Sequence, residues 1–145
     1  MIKIYKNRND SQYKKATSWL ERFNLPYVVV TKTGLLYDDL QHILHLSERG
    51  FEDILVSREQ APKVYQEITE DLHEKTVNEM IRYILNHQRL LKNPLIFDET
   101  HLSVGYNAET IRVFAPRAHK KLNFSNYVFL DKIGKNLSIE ENNKG

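Results

Sequence analysis

The sequence predicts an α/β fold built on a four-stranded mixed sheet. Three observations lead there: a strand, helix, strand succession within the first 31 residues, a long middle stretch of helical periodicity, and a proline-led pair of short apolar runs beginning at Pro94.

Each element has a local cause. In residues 1–6, Ile2 and Ile4 alternate with Lys3 and Tyr5, the period of two that a strand requires. The string Asn9-Asp10-Ser11-Gln12 supplies an N-capping side chain with a glutamine three residues after Asn9, and Tyr13, Ala16, Leu20 and Phe23 follow at helical spacing. Leu25-Pro26 stops that helix, and residues 27–31 are β-branched enough to predict a buried strand. Two strands joined by a helix pair in parallel through a right-handed crossover. Leu36, Leu40, Ile43 and Leu44 share one face of the next helix, which is expected to end near Gly50 as a left-handed cap. Residues 51–70 read as short helical pieces broken at Pro62. Thr76 and Glu79 then form a capping box before Val77, Met80, Ile81, Ile84 and Leu85, an amphipathic stripe. After Leu90-Leu91, Pro94 leads residues 95–98, a Glu99-Thr100 link and residues 101–104, the pattern of an antiparallel hairpin. Asn107 is expected to cap a last helix carrying Ile111 and Phe114.

Composition narrows the function. A chain of 145 residues with 41% hydrophobic residues suits one packed domain. Its 21 basic and 19 acidic residues leave a formal net charge of +2, too small to argue by itself for a polyanionic partner. The absence of cysteine excludes a disulfide scaffold, a thiol nucleophile and a cysteine-ligated metal. The first six residues are too short and too interrupted by lysine for a signal peptide, and no apolar run approaches the roughly 20 residues of a membrane span, so a cytoplasmic location without membrane contact is expected. From Arg117 onward, His119, Lys120 and Lys121 make a basic step, followed by an asparagine-rich stretch whose end is expected to be disordered. Within it, Tyr127-Val128-Phe129-Leu130 is apolar enough to dock on the domain or on a partner.

Several strings carry a family resemblance: Lys15-Ala16 with Trp19-Leu20-Glu21, Pro26-Tyr27, the run from Ile43-Leu44-His45 through Ser47-Glu48-Arg49-Gly50, Ile54-Leu55-Val56-Ser57-Arg58, Leu90-Leu91-Lys92-Asn93-Pro94-Leu95-Ile96-Phe97, and Leu102-Ser103-Val104-Gly105-Tyr106. In this order, from residue 1 to about 117, they resemble the arsenate reductase (ArsC)/Spx family, and Spx-type transcriptional regulators in particular. The resemblance implies a thioredoxin-like sheet domain over residues 1–117, with residues 1–35 and 92–117 as its core, residues 36–91 as an inserted helical lobe, and residues 118–145 as a C-terminal extension. It further implies binding to the C-terminal domain of the RNA polymerase α subunit, an approach to promoter DNA only within the polymerase complex, and no cofactor. The glycine matching Gly50 lies where Spx touches the α subunit, which marks Glu48, Arg49 and Gly50, together with Arg58, as partner-binding residues. The proline matching Pro94 is cis in this fold. Spx proteins are degraded by a protease that reads an apolar C-terminus, a feature missing from the polar Asn143-Lys144-Gly145 end; a protease or adaptor is a further possible partner.

The departures matter as much. Asp10 and Tyr13 occupy the two positions of the Cys-x-x-Cys switch of many Spx proteins, the first being that of the reductase nucleophile. Of three arginines that hold the oxyanion in the reductases, Arg58 matches, Asn93 replaces the one before the proline, and none stands in Val104-Gly105-Tyr106.

Individual residues admit two readings. Asp10 at a helix N-terminus is either a carboxylate nucleophile or, as the dipole favours, a cap. Arg58 either binds an anion or, by bonding a carboxylate or carbonyls, holds the insertion to the sheet. His42 and His45 have a metal-binding spacing without a third ligand, opposite the apolar face, and read as solvated. Lys14-Lys15 and residues 117–121 can approach a DNA backbone or remain ordinary basic surface. Three functions follow: a polymerase-binding regulator without a thiol switch of its own, a cysteine-free thioredoxin-like module for another protein partner, and a reductase-like enzyme, against which the missing cysteine and arginines count.

Overall fold

The sheet has four strands in the order β2-β1-β3-β4: β1 (Ile2–Tyr5), β2 (Tyr27–Val30), β3 (Leu95–Phe97) and β4 (Leu102–Val104). The computed structural model describes residues 1–116. β1 pairs in parallel with β2, Ile2 facing Tyr27 and Tyr5 facing Val30, and antiparallel with β3, Ile4 facing Ile96. β3 and β4 form the expected hairpin, Phe97 facing Leu102. Its turn is fastened by the Asp98 carboxylate, which accepts from the Thr100 and His101 backbone N–H groups. The Asn93–Pro94 bond that leads into β3 is cis.

Position in the sheet explains a first correction. β2 is an edge strand rather than a buried one: Val28 and Val29 are exposed, and of its four residues only Val30 is buried. A β-branched run reports a strand but not which side of it lacks a neighbour.

α1 (Ser11–Arg22) crosses between β1 and β2. Its cap is Asp10, one residue later than the Asn9–Gln12 box predicts. Gln12 turns away instead and accepts from the Tyr106 backbone N–H at 2.9 Å. This close approach requires Gly105, whose φ is +68° and where a Cβ would lie 3.0 Å from the Gln12 side-chain oxygen.

Between β2 and β3 run α2 (Tyr37–Leu46), α3 (Phe51–Ile54), α4 (Pro62–Gln66) and α5 (Val77–Asn86). α5 starts at the predicted Thr76–Glu79 capping box. Leu40 and Ile43 of α2, Ile54 of α3 and Met80, Ile81 and Ile84 of α5 pack in one apolar cluster with Tyr5 and Leu95 of the sheet, so insertion and sheet share a core. Truncating one such leucine or isoleucine to alanine costs about 2 to 5 kcal/mol.

Four details differ from expectation. Leu36 and Val77, placed on apolar faces by periodicity, are 63% and 60% exposed, because they occupy the helix starts, where the stripe has not yet turned inward. α2 ends at Leu46, with Ser47 as its C-cap, and not near Gly50. Gly50 opens α3 with φ +69° and ψ −132°, a glycine conformation outside the left-handed helical basin. Pro62 begins α4 rather than breaking a helix, since its missing N–H would be unpaired there anyway.

Residues 1–107 form one compact unit, and a second begins at Ala108. In its described part, Thr110–Phe114 is a 3-10 helix with Glu109 at its N-cap position, in place of the expected helix begun by Asn107. Ile111 and Phe114 are buried. The basic step at Arg117, the apolar 127–130 string, the extension over 118–145 and the polar end lie outside the described residues.

Candidate functional site

The loop after β1 is held shut by side chains rather than opened for chemistry. Asn93, buried just before the cis proline, accepts from the Asn7 backbone N–H at 2.8 Å and donates to the Arg8 carbonyl at 3.1 Å. Asn7 in turn donates from its amide to the Gln88 and Leu91 carbonyls. Where an arginine would project into an anion site, a short amide ties two chain segments together.

Asp10 completes this closure. Its carboxylate accepts from the Tyr13 backbone N–H at 2.9 Å and pairs with the Arg8 guanidinium at 3.1 Å. Partial burial pushes its pKa up, but the Tyr13 N–H, the Asn93 amide and Arg8 outweigh that and hold the carboxyl below its ordinary value. An anion gathered at the start of α1 would meet this fixed negative charge on the N–H groups it needs. Tyr13 is half-buried, with the Lys6 ammonium over its ring; burial, and then Glu21, pushes its phenol pKa up. Neither position presents a nucleophile activated by a neighbouring base.

A cleft of about 1030 Å³ runs from this loop to the insertion, bordered by Asn7, Arg8 and Gln12 on one side and by Glu48, Asp53 and Val56 on another. Its charges are mixed: Arg89 is paired with Glu67, Arg8 with Asp10, and Asp53 with Arg49.

The residues marked for partner binding divide into two places. Glu48, Arg49 and Gly50 form the turn between α2 and α3. Its organiser is Asp53, which sequence reasoning passed over. One carboxylate oxygen accepts from the Glu48 and Arg49 backbone N–H groups at 3.0 and 2.8 Å; the other accepts from the Arg49 guanidinium at 2.9 Å. The Arg49 N–H foremost, with the guanidinium, holds the Asp53 carboxyl below its ordinary value, and the Arg49 pKa is raised in return. The available signal was the acid three residues after Gly50, the position from which a side chain reaches back over a helix start. At Gly50 a Cβ would meet nothing within 4 Å, so this turn faces open space.

Arg58 belongs to the loop before α4. It bonds neither a carboxylate nor a carbonyl among the described residues, contrary to the holding role expected of it. Its guanidinium lies over the Tyr65 ring at 4.6 Å, and the Tyr65 hydroxyl donates to the Val56 carbonyl. The arginine packs on the insertion through a face-on cation–π contact, and no ion pair or hydrogen bond links it to the Glu48–Arg49 turn.

His42 is also corrected. It is half-buried, its Nε2–H donates to the Asp98 carbonyl at 2.8 Å, and it therefore ties α2 to the hairpin, while His45 is exposed. Among the described residues no group of three acidic or histidine side chains could hold a metal ion, and no helix is long and apolar enough to cross a membrane.

This arrangement has relatives. Residues 5–114 match the profile of the ArsC family. The chain belongs to the ArsC family. Within it, the chain is similar to the global transcriptional regulator Spx 1 of Lactococcus lactis subsp. lactis (strain IL1403), 34% identical over 123 residues that cover 83% of this chain and 94% of the relative. It is likewise similar to the global transcriptional regulator Spx of Bacillus subtilis (strain 168), 33% identical over 119 residues, 81% of this chain and 88% of the relative. In fold it resembles an arsenate reductase (ArsC) related protein from Brucella melitensis, with a TM-score of 0.51 at 23% identity over 77% of this chain and 92% of that one. It also resembles the arsenate reductase from Vibrio cholerae, with a TM-score of 0.52 at 13% identity over 78% and 93%. The ArsC fold, a thioredoxin-like mixed sheet with helices, is thus common to regulators and reductases, and the site must separate them.

Proposed function

We propose that this chain is an Spx-like transcriptional regulator that binds the C-terminal domain of the RNA polymerase α subunit and has no thiol switch of its own. The observation that carries this reading is the similarity, at 31 to 34% identity over more than four-fifths of the chain, to proteins named global transcriptional regulators. The docking role is assigned to the turn Glu48–Arg49–Gly50, pre-shaped by Asp53 and open at Gly50, with Arg58 nearby in sequence on the same insertion. A turn already fixed by three hydrogen bonds loses less entropy on binding than a loose one. Regulation by abundance, with turnover by a protease or its adaptor, replaces the switch that Asp10 and Tyr13 cannot provide. Promoter DNA is met in the polymerase complex, and the setting is the cytoplasm.

An enzymatic reading is the weaker one. Reduction of an oxyanion by the reductase route needs a thiolate to attack and cations to gather the substrate. This chain has no cysteine, puts a carboxylate at the attack position, and uses Asn93 to close the loop.

Calorimetric titration of the full chain with the purified C-terminal domain of the polymerase α subunit tests the proposal. Saturable one-to-one binding is expected. No binding, with a different protein captured from lysate, would replace it by the cysteine-free module with another partner.

A further inference from the structure

The outer edge of β2 is open, and its hydrogen-bonding pattern matches itself. The Lys6 N–H donates to the Val30 carbonyl at 3.0 Å, which turns the backbone groups of Val30, and two residues earlier those of Val28, toward β1. Tyr27 and Val29 therefore point their N–H and C=O groups outward, and among the described residues these groups meet no partner. The free row ends on both sides. The Leu25 N–H donates to the Leu20 carbonyl, and the Thr31 carbonyl accepts from the Gly34 and Leu35 N–H groups at 2.9 and 3.1 Å. Val28 and Val29, one on each face of the strand, are 48% and 39% exposed, and Pro26, Thr31 and Lys32 beside them are exposed as well. The opposite edge of the sheet differs, since Leu102 and Val104 of β4 pack against the core cluster. No charge, bulge or proline interrupts residues 27–30, although these are the devices by which natural sheets keep an edge from pairing.

From this edge we infer that two copies of the chain associate through β2, paired antiparallel about a two-fold axis at Val28. In that register Tyr27 of each copy opposes Val29 of the other, and each such pair exchanges both of its free hydrogen bonds. Four bonds form, and no outward group of Tyr27 or Val29 is left over. The neighbouring registers fail. An axis at Val29 would oppose Tyr27 to Thr31, whose carbonyl is already engaged twice, and an axis at Tyr27 would oppose Val29 to Leu25, whose N–H is taken. On one face Val28 meets Val28 at the closest cross-strand spacing; on the other the Tyr27 ring, held by the bond from its hydroxyl to Glu21 at 2.6 Å, lies across from Val29. A second copy is the fitting occupant because β2 itself supplies the uncharged strand, with free groups on alternate residues, that this edge requires, and no like charges face each other at the axis. The contact is small, below the roughly 1,200 Å² of stable specific interfaces, so the pair is weak and forms at high concentration. It uses none of Glu48, Arg49, Gly50 and Arg58 and does not rest on the polymerase reading.

The test is sedimentation equilibrium of the full chain from about 10 µM to about 1 mM, the range over which a contact of this size associates. The weight-average mass should rise from the 17.2 kDa of one chain toward twice that value. Val28→Lys sets two ammonium groups against each other at the axis and should raise the dissociation constant about tenfold or more. Val29→Pro removes the outward N–H and leaves the bonds to β1 in place, because Val28 and Val30 make those; it should abolish the dimer. Val77→Lys, the same change at a valine 60% exposed on α5, should associate as the wild type does. Thermal unfolding shows which variants keep the fold, and if Val29→Pro does not, Val28→Lys decides alone. A wild type that stays monomeric at the top of the concentration range overturns the proposal. So does a dimer of wild-type strength in either folded β2 variant, which would place the contact elsewhere. An equal loss in Val77→Lys would reduce the effect to general apolar association and overturn it too.

Discussion

Asp53 grips Arg49 twice, once through the backbone N–H at 2.8 Å and once through the guanidinium at 2.9 Å, and so fixes the turn that presents Gly50. Asp53→Ala removes both bonds and the one to the Glu48 N–H, while α3 keeps its buried Ile54. Affinity for the α-subunit domain is expected to fall severalfold with little change in thermal midpoint, because the turn must then be ordered on binding. Parallel titration and thermal unfolding read this. A fall in midpoint with unchanged affinity of the folded fraction would contradict it.

At Asp10 the cap and the charge can be separated. Asp10→Ala removes the cap and should cost about 1 kcal/mol, whereas Asp10→Asn retains an N-cap acceptor. The carboxyl is held below its ordinary value when folded, so its charge contributes stability that is fully present above the unfolded value of about 3.9 and is lost as pH falls through the folded one. The advantage of wild type over Asp10→Asn should therefore be flat near neutrality and shrink in acid. Asp98 is lowered as well but is common to both proteins and cancels in the difference.

Tyr5, fully buried, donates to the Gln88 side-chain oxygen at 2.8 Å, and Gln88 donates onward to the Lys32 and Leu85 carbonyls. Burial pushes the Tyr5 phenol up to about 12, so it stays protonated through the ordinary pH range. Tyr5→Phe leaves a buried amide oxygen without that donor, and urea unfolding should show a loss of about 1 to 3 kcal/mol at unchanged slope.

Much of this fold is legible in the sequence, and the failures share a cause. The Thr76–Glu79 box, the alternation in β1 and the Glu99-Thr100 turn are signals between neighbours in sequence, and they hold in the structure. What a sequence does not display is which neighbour is missing or which distant group is met. The edge position of β2, the bond from His42 to the Asp98 carbonyl and the ring beneath Arg58 each depend on contacts made after folding. The spacing of Gly50 to α2 suggests a cap, while its conformation is set by α3. Asp10 is legible as a cap because capping is local; Asn93 as a clasp is not, since it joins segments 85 residues apart.

Peroxide should leave partner binding unchanged, because disulfide formation is impossible and of the two methionines Met80 is buried. Binding measured before and after oxidation checks this; a change that persists when both methionines are replaced would contradict it.

The most direct test of the polymerase-binding account is Gly50→Arg. No atom lies within 4 Å of a Cβ built there, so the side chain itself meets no neighbour, while φ +69° with ψ −132° adds backbone strain of about 1 to 3 kcal/mol, less than the roughly 5 to 15 kcal/mol of an ordinary domain. The arginine would stand in the space assigned to the α-subunit domain. Calorimetric titration of the folded variant against that domain should show binding lost, with the thermal transition still cooperative. Binding equal to wild type by a folded Gly50→Arg protein would contradict the account.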